Sequence, residues 1–159
     1  NGGDAETKGL EAELTYSPTD GLLLMANYAY LDAELTAGEY KGNTLAYAPE
    51  NTFSVGANFD HGFLAGSLNW FAIYNYTDDF YHETNNDNQE DAYGIVNAKV
   101  TYTAGSERWD LALAADNLTD EDYAVRGFYF GNEPPDFPAT LYTRLGDPRQ
   151  VGVTFDKRF

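Results

Sequence analysis

In Thr52-Phe53-Ser54-Val55-Gly56-Ala57-Asn58-Phe59 every second residue is apolar, and the residues between are polar or glycine. A period of two sends successive side chains to opposite faces of an extended strand, so Phe53, Val55, Ala57 and Phe59 share a face. The pattern recurs in both directions along the chain. Before it, Leu10, Ala12, Leu14 and Tyr16 alternate with Glu11, Glu13 and Thr15, and Leu22, Leu24, Ala26, Tyr28 and Tyr30 oppose a less polar set, Leu23, Met25, Asn27, Ala29 and Leu31. After it, Leu64, Leu68, Trp70, Ala72, Tyr74 and Tyr76 oppose Ser67, Asn69 and Asn75, with Phe71 and Ile73 interrupting the polar face. Val96, Ala98, Val100 and Tyr102 follow, then Trp109, Leu111, Leu113 and Ala115, and finally Val151, Val153, Phe155 and Phe159. The spacing predicts an all-β chain of about seven strands.

The connections between these runs alternate in length. Pro18 to Gly21, Asp60 to Gly62 and Thr103 to Glu107 are short, whereas Asp32 to Glu50, Thr77 to Ala92 and Asn117 to Arg149 are long and polar. Short turns therefore gather at one end and long loops at the other, which is the mark of an antiparallel up-and-down meander rather than of Greek-key crossings. Aromatics cluster at both ends of the strands: Tyr16, Phe59, Tyr102, Trp109 and Phe159 toward the short turns, Tyr28, Tyr30, Tyr74 and Tyr76 toward the long loops. Leu, Val and Ala lie between. Such a band with two ring levels predicts hydrocarbon against the apolar face and water against the other. Strands of roughly ten residues suit the about 9–11 needed to cross hydrocarbon at a tilt. A soluble acidic β-domain, its apolar face packed on a second sheet, shows the same alternation and stays open as an alternative.

Composition narrows the function classes. The 159 residues carry 9 Lys and Arg against 26 Asp and Glu, a net charge of −17, with no basic cluster, which excludes a phosphate-binding groove and nucleic acid as partner. The absence of cysteine removes disulfides, thiolate metal sites and cysteine nucleophiles together. No run approaches the roughly 18 apolar residues of a membrane helix. The opening Asn1-Gly2-Gly3-Asp4 is neither a Met start nor a signal peptide, so either a mature chain or a piece of a longer one is expected.

The carboxyl end adds motifs. Asp116-Asn117-Leu118-Thr119-Asp120-Glu121-Asp122-Tyr123 resembles the signature that follows the penultimate strand of TonB-dependent outer-membrane receptors, and Gly146-Asp147-Pro148-Arg149-Gln150-Val151-Gly152-Val153 leading to Phe159 resembles their closing strand. Lys8-Gly9-Leu10-Glu11 and Leu45-Ala46-Tyr47-Ala48-Pro49-Glu50-Asn51 are similar to motifs of the same barrel region. Members of that family close about 22 strands around an amino-terminal plug. About seven strands left open in lipid would strand two rows of backbone groups, each costing several kcal/mol. The expected fold is therefore a carboxyl-terminal fragment of a transmembrane β-barrel, with residues 1–159 forming part of its wall and the plug and TonB-binding segment outside this sequence.

The resemblance implies outer-membrane active transport, the import of a ferric siderophore or a similarly scarce ligand into the periplasm. A passive porin or small barrel of about eight strands is a further alternative. Implied partners are outer-membrane lipid, a small-molecule ligand such as a metal chelate, TonB through the amino-terminal region, and the barrel-assembly machinery. That machinery would read Phe159 with the alternating Phe155 and Val153. The long loops, facing outside the cell, would line the ligand vestibule with Tyr40, Phe80, Tyr81, His82, Arg126, Phe128, Tyr129, Phe130, Phe137, Tyr142 and Arg144. Rings there stack on an aromatic or sugar-like ligand and arginines pair with anionic groups, or else the rings pack the loops onto the barrel rim. No catalytic residue, cofactor or metal site is expected. His61 and His82 read as solvent-exposed loop histidines, and the carboxylates Asp78, Asp79, Glu83, Asp87, Glu90 and Asp91 lack the spacing of an EF-hand loop.

Overall fold

The alternating runs become strands in the computed structural model, which describes residues 3–106, 108–131 and 134–159. Seven strands form one antiparallel sheet: β1 (Ala5–Thr19), β2 (Leu22–Leu35), β3 (Asn51–Phe63), β4 (Gly66–Thr77), β7 (Tyr93–Ala104), β8 (Trp109–Asp116) and β11 (Gln150–Lys157). Each pairs with the next in chain order, so the expected meander is observed. Two short hairpins stand apart from it, β5 (Phe80–Tyr81) with β6 (Gln89–Glu90), and β9 (Ala124–Gly131) with β10 (Ala139–Leu145). The second and third long connections are thus not irregular throughout, and the structure corrects that expectation.

Register keeps the two faces distinct. Leu24, Ala57, Ala72, Ala98, Ala115 and Val151 stand opposite one another across six neighbouring strands, a row of apolar side chains on one face. On the other, the Asn27 amide donates to Ser54 Oγ at 3.2 Å and Asn69 to Asn58 Oδ1 at 2.9 Å. A slip of one residue would exchange the faces, so this alternation pins the pairing. Rings bind the strands at the short-turn end: Phe59, His61, Phe63, Tyr102, Trp109 and Phe155 run in unbroken contact from β3 to β11, with centroids 5.1 to 6.5 Å apart.

Two turns lie elsewhere than their residues suggest. β3 continues through Asp60-His61-Gly62 to Phe63, and the chain reverses at Leu64-Ala65 with Leu64 at φ 52°. A left-handed leucine is rare, so nothing in its chemistry announces a turn. His61 is accordingly a strand residue stacked on Phe59, not a loop histidine. Pro18 sits inside β1 at a register irregularity between Tyr16 and Thr19, and Gly21, at φ 79°, makes the turn. Glu107, the expected end of the third short turn, lies outside the described residues, as do Asn1 and Gly2.

Among the described residues no large side chain is fully buried, and the apolar face is open, with Leu14 63% and Val153 70% exposed. Ala33, Leu35, Ala48, Phe80, His82, Asn88, Asn117 and Ala124 are buried, and all of them lie at the long-loop end; Ala104 and Ala112 alone among the buried apolar residues lie in the remainder of the sheet.

The junction after β8 explains the Asn117 to Tyr123 motif. Asn117, at φ 48°, accepts the Glu121 N–H on Oδ1 at 2.8 Å and donates through Nδ2 to the carbonyls of Glu121 and Asp147 at 2.8 and 3.1 Å. Its own N–H donates to Asn97 Oδ1 at 2.9 Å. Asp120 Oδ1 accepts the Arg149 N–H at 2.9 Å, while Tyr123 stacks on Tyr93 with centroids 4.6 Å apart. A side chain at Gly146 would begin 2.0 Å from the Tyr123 ring, so only glycine fits there. One asparagine thus ties β7, the end of β8 and the approach to β11. Asn117→Ala removes the three bonds that its side chain makes with Glu121 and Asp147 and is expected to cost about 1–3 kcal/mol. The heat-induced unfolding midpoint of the protein, followed by electrophoretic mobility, measures it; an unchanged midpoint would show that the network contributes nothing.

Candidate functional site

The polar, turn-rich composition of the long connections leaves their backbone groups to find partners in one another. Between β2 and β3, Tyr47 adopts φ 57° and donates its N–H to the Tyr81 carbonyl at 2.8 Å. Thr44 exchanges two bonds with the Asn86 amide, each of 3.0 Å, and Asn43 Nδ2 reaches the Thr84 carbonyl at 3.0 Å. Asn86 itself sits at φ 58°, a conformation asparagine tolerates. The first long connection is thereby fastened to the second.

The second is fastened to the third through His82 and Glu90. His82 is buried, 4% exposed, between Tyr47 and Phe80, with ring centroids 5.4 and 5.1 Å away. Glu90 Oε1 accepts the Ala124 N–H at 2.7 Å, and its other oxygen lies 3.6 Å from His82 Nε2. Gly127 of β9 comes so close that an added Cβ would stand 2.5 Å from Asn88 Nδ2 and 2.8 Å from His82 Cδ2. At the base of the second connection, just beyond β4, Asn51 Nδ2 donates to Asp78 at 2.8 Å, and the Tyr76 hydroxyl donates at 3.1 Å. These donors hold the Asp78 carboxyl below the usual carboxylate range, led by the Asn51 bond. Among the described residues, no group of three or more His, Asp or Glu side chains is placed to hold a metal ion.

The β9–β10 hairpin adjoins this layer at Gly127. Its register sets Arg126 opposite Arg144, Phe128 opposite Tyr142 and Phe130 opposite Thr140, so all six share one face. Phe128 and Tyr142 are stacked, 5.8 Å between centroids and 19° between planes, and the Arg126 guanidinium carbon lies 5.7 Å from the Phe128 centroid. The opposite face carries Val125, Gly127 and Tyr129, and through Gly127 it meets the β5–β6 hairpin.

Of the residues expected at a vestibule, the structure brings Arg126, Phe128, Phe130, Tyr142 and Arg144 together. Tyr129 lies on the hairpin's other face, Tyr81 is half-buried, and Tyr40 and Phe137 are exposed in their connections. His82 is a correction: it is a buried packing residue, because Tyr47 and Phe80 enclose it and Gly127 closes over its edge. Phe155 and Val153 project from the free edge strand β11, and Phe159 follows it with Lys157 Nζ 4.9 Å from its ring. Of the residues that build the layer, Asn86, Asn88 and Gly127 carry no expectation from the sequence, while Tyr47 belongs to a barrel motif and Glu90 to the acidic run rejected as an EF-hand. Asn and Gly amid long polar loops signal close backbone approach; nothing in the sequence marks Glu90 as the partner of a distant N–H.

Gly127→Ala is expected to part the two hairpins at a cost of about 1–3 kcal/mol. Limited proteolysis of the folded protein would then nick residues 117–149 sooner than in the parent, and equal cutting rates would contradict this packing.

The chain is similar to known proteins in sequence and in fold. The family model described as TonB dependent receptor-like, β-barrel, matches residues 1–118. The ferrichrome outer membrane transporter/phage receptor of Escherichia coli (strain K12) is 31% identical over 134 residues, 80% of this chain and 18% of that protein. The iron-regulated outer membrane virulence protein of Vibrio cholerae serotype O1 is 27% identical over 131 residues, 79% of this chain and 20% of that one. In fold, the chain matches the crystal structure of the ferric yersiniabactin uptake receptor FyuA from Yersinia pestis, with a TM-score of 0.87 at 22% identity over 98% of this chain and 24% of that one. BauA, the ferric preacinetobactin receptor from Acinetobacter baumannii, gives a TM-score of 0.74 at 23% identity, covering 97% and 22% of the two chains. The chain spans about a fifth of the length of the curated relatives it matches.

Proposed function

The chain belongs to the TonB-dependent receptor β-barrel family, and on that premise we propose that residues 1–159 form a carboxyl-terminal part of the barrel wall of an outer-membrane receptor importing a ferric siderophore or similar chelate into the periplasm. The observation that carries the reading is the family match over residues 1–118 on a sheet whose fold matches a solved uptake receptor with a TM-score of 0.87. The open apolar face, bounded by rings, suits outer-membrane hydrocarbon, and the polar face suits a hydrated lumen. The interlocked loops form part of the outer vestibule, where Arg126, Phe128, Tyr129, Phe130, Tyr142, Arg144 and Tyr81 stand as ligand-contact candidates. Phe159, with Phe155 and Val153, is the segment offered to the barrel-assembly machinery. Energy would reach the receptor through TonB, acting on parts other than this wall. The family is one of receptors and transporters, not enzymes, and the reading requires no covalent step.

Deleting the gene in its host under iron limitation is expected to abolish uptake of one class of radio-iron chelate, and the same uptake is expected to vanish when TonB is absent. Uptake that persists without TonB would point to passive diffusion and overturn the active-transport reading. The membrane placement has its own test. Ala98→Arg, near the middle of the apolar face, is expected to cost about 2–4 kcal/mol in folding titrations of the receptor into lipid vesicles, whereas Thr101→Arg on the polar face costs far less. Equal penalties for the two would remove hydrocarbon from that face.

A further inference from the structure

The chain carries 26 acidic and 9 basic residues, yet two of its arginines face each other with no acid between them. Arg126 and Arg144 are directly opposed on β9 and β10, both exposed, and among the described residues neither forms an ion pair with a carboxylate. Like charges directly opposite on paired strands repel and destabilise the hairpin. Two residues farther along the same face, about 7 Å on, stands the parallel stack of Phe128 on Tyr142, with Phe130 edge-on to Tyr142 at 6.5 Å. The face thus offers two guanidinium forks and, within one ring's length of them, flat apolar surface.

We infer that this face binds an anionic, aryl-bearing chelate whose negative oxygens lie on or beside an aromatic ring, as in catecholate and phenolate ligands. An uncharged hydroxamate chelate does not fit it. The inference rests on the proposed function for the iron and adds the charge and ring character of the ligand. The guanidinium groups take oxygen anions through paired N–H donors and lose their mutual repulsion in doing so. The ligand ring then lies against Phe128, Phe130 and Tyr142. Arg126 already leans over Phe128, so its planar group is held near the ring before the ligand arrives.

The test uses the full-length receptor in detergent and equilibrium dialysis against three probes. These are the anionic ferric tris-complex of dihydroxybenzoate, the neutral ferric tris-complex of acetohydroxamate, and dihydroxybenzoate free of iron. The anionic complex is expected to bind about tenfold more tightly than the neutral one. Arg126→Gln with Arg144→Gln is expected to weaken it about tenfold while leaving any binding of the neutral complex unchanged. Arg126→Lys with Arg144→Lys, which keeps the charges but not the forks, should fall between. A glutamine double variant that binds the anionic complex as the parent does, or loses both ferric complexes alike, overturns the inference. So does a parent that prefers the neutral complex or binds none of the probes. Arginine-dependent binding of iron-free dihydroxybenzoate, with both ferric complexes ignored, would retain the assigned ligand character and remove the ferric-chelate function instead.

Discussion

Backbone hydrogen bonding between consecutive antiparallel strands is the interaction on which this structure depends. Within this chain neither face is covered among the described residues, and the largest apolar side chains of β1 and β11 stand open. What holds the strands is a ladder whose register never skips a neighbour, reinforced at one end by the ring chain from Phe59 to Phe155. A ladder of this kind suits a medium that offers backbone groups no alternative partner, since there an unpaired N–H or C=O costs several kcal/mol.

Burial is instead concentrated where the ladder ends. Phe80, His82, Asn88, Ala48 and Ala124 are drawn from three separate connections, and polar groups fasten each connection to the next: Asn86 to Thr44, Glu90 to Ala124. The loops therefore carry a small core of their own, supported on the sheet rather than forming part of its packing. That core meets the β9–β10 hairpin at Gly127, on the face opposite its arginines and stacked rings.

Much of the sheet was legible because its period is two and its polar and apolar residues are well separated. Phe53 to Phe59 and Trp109 to Ala115 lie in strands with the expected alternation. Errors arose where a residue's conformation contradicts its propensity. Leu64 turns the chain although leucine seldom adopts positive φ, and Asp60-His61-Gly62, rich in turn formers, runs straight because it is paired with Leu68, Ser67 and their neighbours. At 124–145 the turn formers Pro134, Pro135 and Pro138 mask the alternation on both sides and hide the hairpin within a long connection. Its chemistry was partly visible: Arg126, Phe128, Phe130, Tyr142 and Arg144 were picked out, but their convergence on one face needed the register. The burial of His82 is hidden in the sequence because it depends on its enclosing partners, Tyr47 and Phe80, thirty-five and two residues away in the chain.

The chaining of each connection to the following one bears on how such receptors diversify. Transplanting a single connection from another barrel would sever the Asn86–Thr44 pair on one side or the Glu90–Ala124 bond on the other, and would leave Gly127 facing an unmatched surface. The exchangeable cassette is the trio, so recombination that moves all three segments together preserves the architecture of the loop layer, while piecemeal chimeras lose it.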